Sequence, residues 1–240
     1  MPALREAHTP DLVIVNGENS AGGMGITPRT ARDLFETGAG VITSGNHVYR
    51  HREVYGYLDE EERLVRPANY PQGNPGHGHT VVEAGGMQVA VINLSGAAGG
   101  LRVARSPFDT VDGILDRIEA DAVLVDFHAE VTSEKVAMGW HLDGRVAAVF
   151  GTHTHVPTAD GRVLPQGTAF ISDVGMTGSR TSVLGVKPEQ ALASLMTQMP
   201  TRFETATEDV WVMGAVVEVN PQGRAESIEQ VMVPAPPESS

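Results

Sequence analysis

Apolar residues along this chain fall into short unbroken runs, and four of them end in a polar cluster. The run within Asp11–Asn16 (Leu-Val-Ile-Val) leads into Gly17-Glu18-Asn19, and Gly40–Ser44 leads into Gly45-Asn46-His47. Asp121–Asp126 leads into Phe127-His128-Ala129-Glu130, and Arg145–Phe150 into Gly151-Thr152-His153-Thr154-His155. Continuous apolar runs of this length suit strands buried on both faces. Between them the spacing turns helical. Thr27-Pro28, a capping hydroxyl followed by proline, predicts a helix to about Glu36 that stops at Gly38. Further helices are expected over Arg50–Asp59, Phe108–Ala120, Thr132–Leu142 and Pro188–Met199, and residues 1–9 read as the tail of a helix stopped by Pro10. Thr80–Glu83 and Met87–Asn93 read as a hairpin around Gly85-Gly86. Thr168–Ser172, Phe203–Thr207, Val210–Val219 and Ala225–Val233 read as strands, the last of them with antiparallel connections. Stretches 66–79 and 95–107 are loops. The order βαβα followed by a β-rich end fits α/β layers around two packed sheets. No internal repeat or linker breaks the chain, so one domain is expected over 1–233, with a Pro/Ser/Glu-rich tail over 234–240 that frays.

Composition narrows the partners. A chain of 240 residues with a formal charge of −13 lacks the basic face that a duplex nucleic acid demands. A phosphate substrate remains open, because bound metal ions reverse the local field. With no cysteine, thiolate metal sites, disulfides and thiol nucleophiles are excluded. No apolar stretch is long enough to span a membrane and no signal-peptide core opens the chain, so a cytoplasmic protein is the expectation. A homo-oligomer is the prior for such a chain.

The four polar clusters carry the candidate chemistry. In open α/β sheets ligands gather at the carboxyl ends of strands. Glu18/Asn19, Asn46/His47, Asp126/His128 and His153/His155 can therefore meet in space. On an extended backbone His153 and His155 would point the same way and reach one ion or two adjacent ones. Each cluster also has a plain structural reading: Asn19 and Asn46 as turn residues, His128 as a hydrogen-bonded strand end, Asp126 as a group that orients a neighbour rather than a ligand. Four coincidences at four strand ends weigh against the plain reading taken four times. His77 and His79 sit in a loop, while His8, His51 and His141 fall in helical contexts and are expected to be solvated. Arg66 and Arg145 are candidates for phosphate or for an acidic neighbour. Tyr70 is the one aromatic placed to stack on a base, with packing as the plainer role.

Taken together, these motifs resemble the calcineurin-like metallophosphoesterases, and within them the bacterial YmdB-like branch. Val65-Arg66-Pro67-Ala68-Asn69, Thr132-Ser133-Glu134-Lys135 and Ser172-Asp173-Val174-Gly175-Met176-Thr177-Gly178 extend the likeness over nearly the whole chain. The resemblance implies a four-layer α/β/β/α sandwich with two divalent metal ions at the strand ends, Fe or Mn in first place and Zn or Mg after them. It implies hydrolysis of a cyclic nucleotide of the 2′,3′-cyclic AMP class, or another small phosphodiester, by a hydroxide held between the ions. By the same carry-over Glu18 bridges the ions; Asn46, His128 and His153 complete one; Asn19 and His155 serve the other; and His47 is the general acid. The family pattern begins with a strand ending in Gly-Asp, whose aspartate binds the first metal, and no such strand precedes residue 1 here. An N-terminally incomplete sequence is therefore expected, and a chain that truly starts at Met1 would hold the ion of Asn19 and His155 weakly and turn over slowly. The alternative is a non-catalytic metal-binding or scaffold protein that lost turnover with that aspartate.

Overall fold

The structure, a computed structural model, describes residues 7–235. In chain order the elements are β1 Ile14–Asn16, α1 Pro28–Glu36, β2 Val41–Thr43, α2 Val54–Glu60, β3 His79–Ala84, β4 Met87–Ser95, α3 Pro107–Leu115 and β5 Ala122–His128. They continue with α4 Thr132–Leu142, β6 Ala148–Thr152, β7 Arg162–Val163, β8 Ala169–Ile171, β9 Gly178–Ser179, α5 Pro188–Thr197, β10 Val210–Val219 and β11 Ala225–Pro234. The fold is mixed α/β. Six strands form one sheet in the order β3-β4-β5-β6-β8-β7, with β4, β5, β6 and β8 mutually parallel and the two edge strands antiparallel. β1 pairs with β2 in parallel, and β11, β10 and β9 form a separate antiparallel sheet.

Alternation along β4 and β5 assigns the two faces of the large sheet. Ile92, Leu94, Val125 and Phe127 point to one side, where Val111 and Ile114 of α3 and Met138 and Leu142 of α4 complete the largest core. Each such side chain withdrawn from water stabilises the fold by about 1.5–3 kcal/mol. On the opposite face Val91, Leu124, Ala148 and Ala169 lie in one cross-strand row. Val91 meets Val41, Val65 and Ile14 of the β1–β2 region. Further along that row Ala148 and Ala169 meet Ala225, Val217 and Ile228 of the β10–β11 pair. Ile42 turns away from the large sheet into a core with Ala31 of α1 and Val54 and Leu58 of α2.

Several expected boundaries shift for identifiable reasons. α1 begins at Pro28 as expected, with Thr27 and Thr30 closing a reciprocal cap. The helix expected from Arg50 starts only at Val54, because turn bonds from Val48 to Gly45 and from Arg50 to His47 occupy the preceding backbone. Phe203–Thr207 is not a strand. Thr205 makes a single bridge to Val186, and β10 is already paired with β9 and β11. The tail expected from residue 234 begins later, since Pro234 ends β11 and the Ala235 amide bonds to the Val210 carbonyl; residues 236–240 lie outside the described part. Of the expected N-terminal helix, Ala7 and His8 are helical and residues 1–6 lie outside the described part. Among the described residues no helix is long and apolar enough to cross a membrane.

Candidate active site

The four strand-end clusters come from two different sheets and meet at one place. The link is Asp126, fully buried on β5. Its carboxylate accepts from Thr43 of β2 (2.5 Å), Asn16 of β1 (3.0 Å) and Thr152 of β6 (2.7 Å). Burial pushes the carboxyl up to about 6, against the pull of these three donors. Asp126 thus ties three strand ends together and orients the residues around it.

Tautomers follow from this network. The single hydroxyl proton of Thr152 goes to Asp126, so its oxygen accepts from His128 Nδ1 at 3.0 Å. His128 Nε2 is then left without a proton. Burial holds the imidazole well below its usual pKa, with His153 and Lys135 adding to the effect, so it stays neutral. His153 Nε2 donates to Glu130 at 2.9 Å, which bares His153 Nδ1. Burial depresses the His153 pKa too, against the pull of Glu130 and Glu18. His155 Nδ1 donates to the Leu184 carbonyl at 3.2 Å, which bares its Nε2. In each histidine the outward nitrogen is satisfied and the inward one is free, the arrangement in which a second partner fixes an imidazole for a metal.

The bare atoms face one another. His128 Nε2 stands 3.1 Å from His153 Nδ1, 3.0 Å from Asn46 Oδ1 and 3.7 Å from Glu18 Oε1. The Asn19 amide lies 3.1 Å from His155 Nε2. Glu18 Oε1 accepts from the His47 amide at 2.7 Å and lies 3.1 Å from His47 Nδ1, while its buried Oε2 has no partner. Lone pairs so placed repel unless a cation lies between them. Ligands about 2.1 Å from a shared ion stand about 3–3.5 Å apart. The donor set therefore fits divalent metal. Among the described residues, however, no group of three or more His, Asp or Glu side chains stands in a geometry that would hold a metal ion, so the set reaches ligand number only with its asparagines. His47 is partly exposed, and the neighbouring Glu18 carboxylate raises its pKa above the ordinary value against partial burial.

Sequence reasoning placed Glu18, Asn19, Asn46, His47, His128, His153 and His155, and the structure brings all seven to one cluster. It corrects the premise that His153 and His155 share an extended backbone. β6 ends at Thr152, and the two histidines have φ of 99° and 66°. They turn to different partners, His128 and Asn19. Such left-handed backbone at non-glycine residues costs of the order of 1–3 kcal/mol each. Asp173 holds the turn: it accepts from the Thr154 amide (3.0 Å) and hydroxyl (2.7 Å) and pairs with buried Lys135 (2.8 Å). Asp173, Lys135 and Glu130 all lay in recognised motifs without an assigned task. Gly45 is a further requirement, because a Cβ there would run into the His128 ring at Nε2. Arg145 and His141 both pair with Asp112, at 2.7 and 2.9 Å, so His141 is not a solvated helix residue. Tyr70 is buried beside Tyr49, which is the packing role.

Known proteins are similar to this chain in sequence and in fold. Over 97% of this chain and 89% of its own length, the 2′,3′-cyclic-nucleotide 2′-phosphodiesterase of Bacillus subtilis (strain 168) is 42% identical. A putative phosphatase/phosphodiesterase of Mycoplasma pneumoniae is 36% identical over 90% of this chain and 79% of its own. A solved protein from Thermus thermophilus superimposes with a TM-score of 0.91 at 42% identity, covering 98% of this chain and 91% of that one. Fold, site and relatives together define an enzyme that hydrolyses phosphoric esters. More narrowly, the YmdB-like protein profile matches residues 1–231, and the chain belongs to that family.

Proposed function

We propose that this chain is a metal-dependent phosphodiesterase acting on cyclic nucleotides of the 2′,3′-cyclic AMP class, on a four-layer α/β/β/α sandwich. The layers are supported by the three cores that separate α1–α2, β1–β2, the six-stranded sheet and α3–α4. The observation that carries the catalytic reading is the convergence of one ring nitrogen each of His128, His153 and His155 on Asn46, Glu18 and Asn19. In this reading Asn46, His128 and His153 would hold one ion, Asn19 and His155 the other, and Glu18 would contribute to both. Bound there, Fe or Mn would supply Lewis acidity toward the phosphoryl oxygens and the attacking water. His47 has its Nδ1 on Glu18 and its ring partly open to solvent, which supports a role for it in protonating the departing ribose oxygen. Glu130 and Thr152 hold the tautomers, and Asp126 holds Thr152.

The test is hydrolysis of 2′,3′-cyclic AMP with added Mn²⁺, in the wild-type chain and in His47→Ala. Metal-dependent turnover, lost in the variant while its metal content persists, is the expected result. Faster cleavage of a phosphomonoester than of the cyclic diester would overturn the substrate assignment.

A further inference from the structure

A cavity lies away from the histidine cluster, between α3, the start of β3 and the 66–68 segment. It has a volume of about 320 Å³ and shares no residue with the cluster. Arg66, Arg105 and Arg117 line it, with His79 beside them and Asp109 as its one carboxylate. Arg66 is 8% exposed and its guanidinium donates to the Pro67 carbonyl (2.8 Å), but its buried Nε has no partner. An unmet buried donor is costly, more so on a charged group. None of the three arginines forms an ion pair among the described residues. In a chain of formal charge −13, three unpaired guanidiniums around one cavity are out of keeping with the surface at large.

The walls are built rather than loose. Asn69 accepts from the Ser95 amide (2.9 Å) and donates to the Ser95 (2.7 Å) and Arg105 (3.3 Å) carbonyls, and its own carbonyl receives the Arg105 amide (3.3 Å). This fixes the backbone that carries Arg105. Gly78 packs so closely on Ala68 that a Cβ there would collide with the Ala68 methyl. Burial lowers the pKa of His79, and His77 and Arg117 lower it further, so that imidazole enters as a neutral donor.

We propose that this cavity binds a phosphate-bearing small molecule at a site separate from the histidine cluster. Guanidinium forks match phosphate oxygens in pairs. The volume admits a nucleoside monophosphate or a smaller phosphate. The test uses the full chain, stripped of divalent ions by a chelator and dialysed, and calorimetric titration with inorganic phosphate, pyrophosphate and adenosine 3′-monophosphate. One site per chain is expected. Affinity should fall by about tenfold or more in the double variant Arg105→Ala/Arg117→Ala, whose exposed side chains leave the melting temperature unchanged. His47→Ala should bind as the wild type does. Tighter binding of the nucleotide than of free phosphate would support a nucleoside phosphate as occupant, and equal binding would support free phosphate. Retained affinity in the double variant, loss of affinity in His47→Ala, or no binding of any probe would each overturn the proposal.

Discussion

At the level of single residues, the site depends as much on what faces away from it as on what faces in. Glu130 is the clearest case. It touches His153 Nε2 and no other member of the cluster, yet without it the His153 proton is free to move to the inward nitrogen. Glu130→Ala should therefore lower metal affinity by about 10–100-fold with the fold intact, as measured by metal content after graded chelation. His47→Ala should behave oppositely: turnover falls by about 10²–10⁴ while metal content holds. Gly45→Ala places a methyl where His128 Nε2 now sits, so metal content and turnover should fall together. The candidate residues were legible because Asn, Glu and His cluster at the ends of apolar runs, while their roles as ligands came from the family resemblance. The left-handed turn at His153 and His155 was not, because neither residue is glycine and nothing local marks it. The distant carboxylate of Asp173 braces that turn through the Thr154 amide and hydroxyl.

At the level of elements, the buried parallel strands and the helices between them were readable from unbroken apolar runs and from caps. α4 matches Thr132–Leu142 and β10 matches Val210–Val219 residue for residue. Phe203–Thr207 misled because strand propensity is realised only where an edge is free to pair, and β9 and β11 already occupy β10 there. The join between α4 and the segment after β8 is the buried Lys135–Asp173 pair. Lys135→Met leaves Asp173 charged and buried, and should cost about 3–5 kcal/mol, read as a lower denaturation midpoint. Asp160 closes the same segment by accepting from the Ser172 hydroxyl (2.5 Å) and amide (3.1 Å). Burial raises its carboxyl, but the Ser172 and Thr158 bonds outweigh that and hold it below the ordinary value. Its stabilisation is thus complete above the unfolded carboxylate pKa of about 4 and is lost as pH falls through the folded value. Asp160→Asn should lower the melting temperature at neutral pH and leave a shallower decline in acid.

At the level of the whole molecule, the strand ends of two sheets converge only because β1–β2 packs on the Val91 row and places Asn16 and Thr43 against Asp126. That convergence is a tertiary fact. The order of elements implied it, but no local pattern could supply the two hydrogen bonds, from Asn16 and Thr43 to Asp126, that join the sheets there. The net charge of −13 opposes an anionic substrate. Raising ionic strength screens that repulsion and should lower KM with little change in kcat. The proposed function rests on the ring nitrogens of His128, His153 and His155 holding divalent metal for phosphodiester hydrolysis. Its most direct test is turnover of 2′,3′-cyclic AMP by the chain stripped of metal and then titrated with Mn²⁺. Turnover that is absent without the ion, rises with bound Mn²⁺ and vanishes in His128→Ala is the expected result. Mn²⁺ bound stoichiometrically with no hydrolysis, or hydrolysis undiminished in the stripped chain, would contradict it.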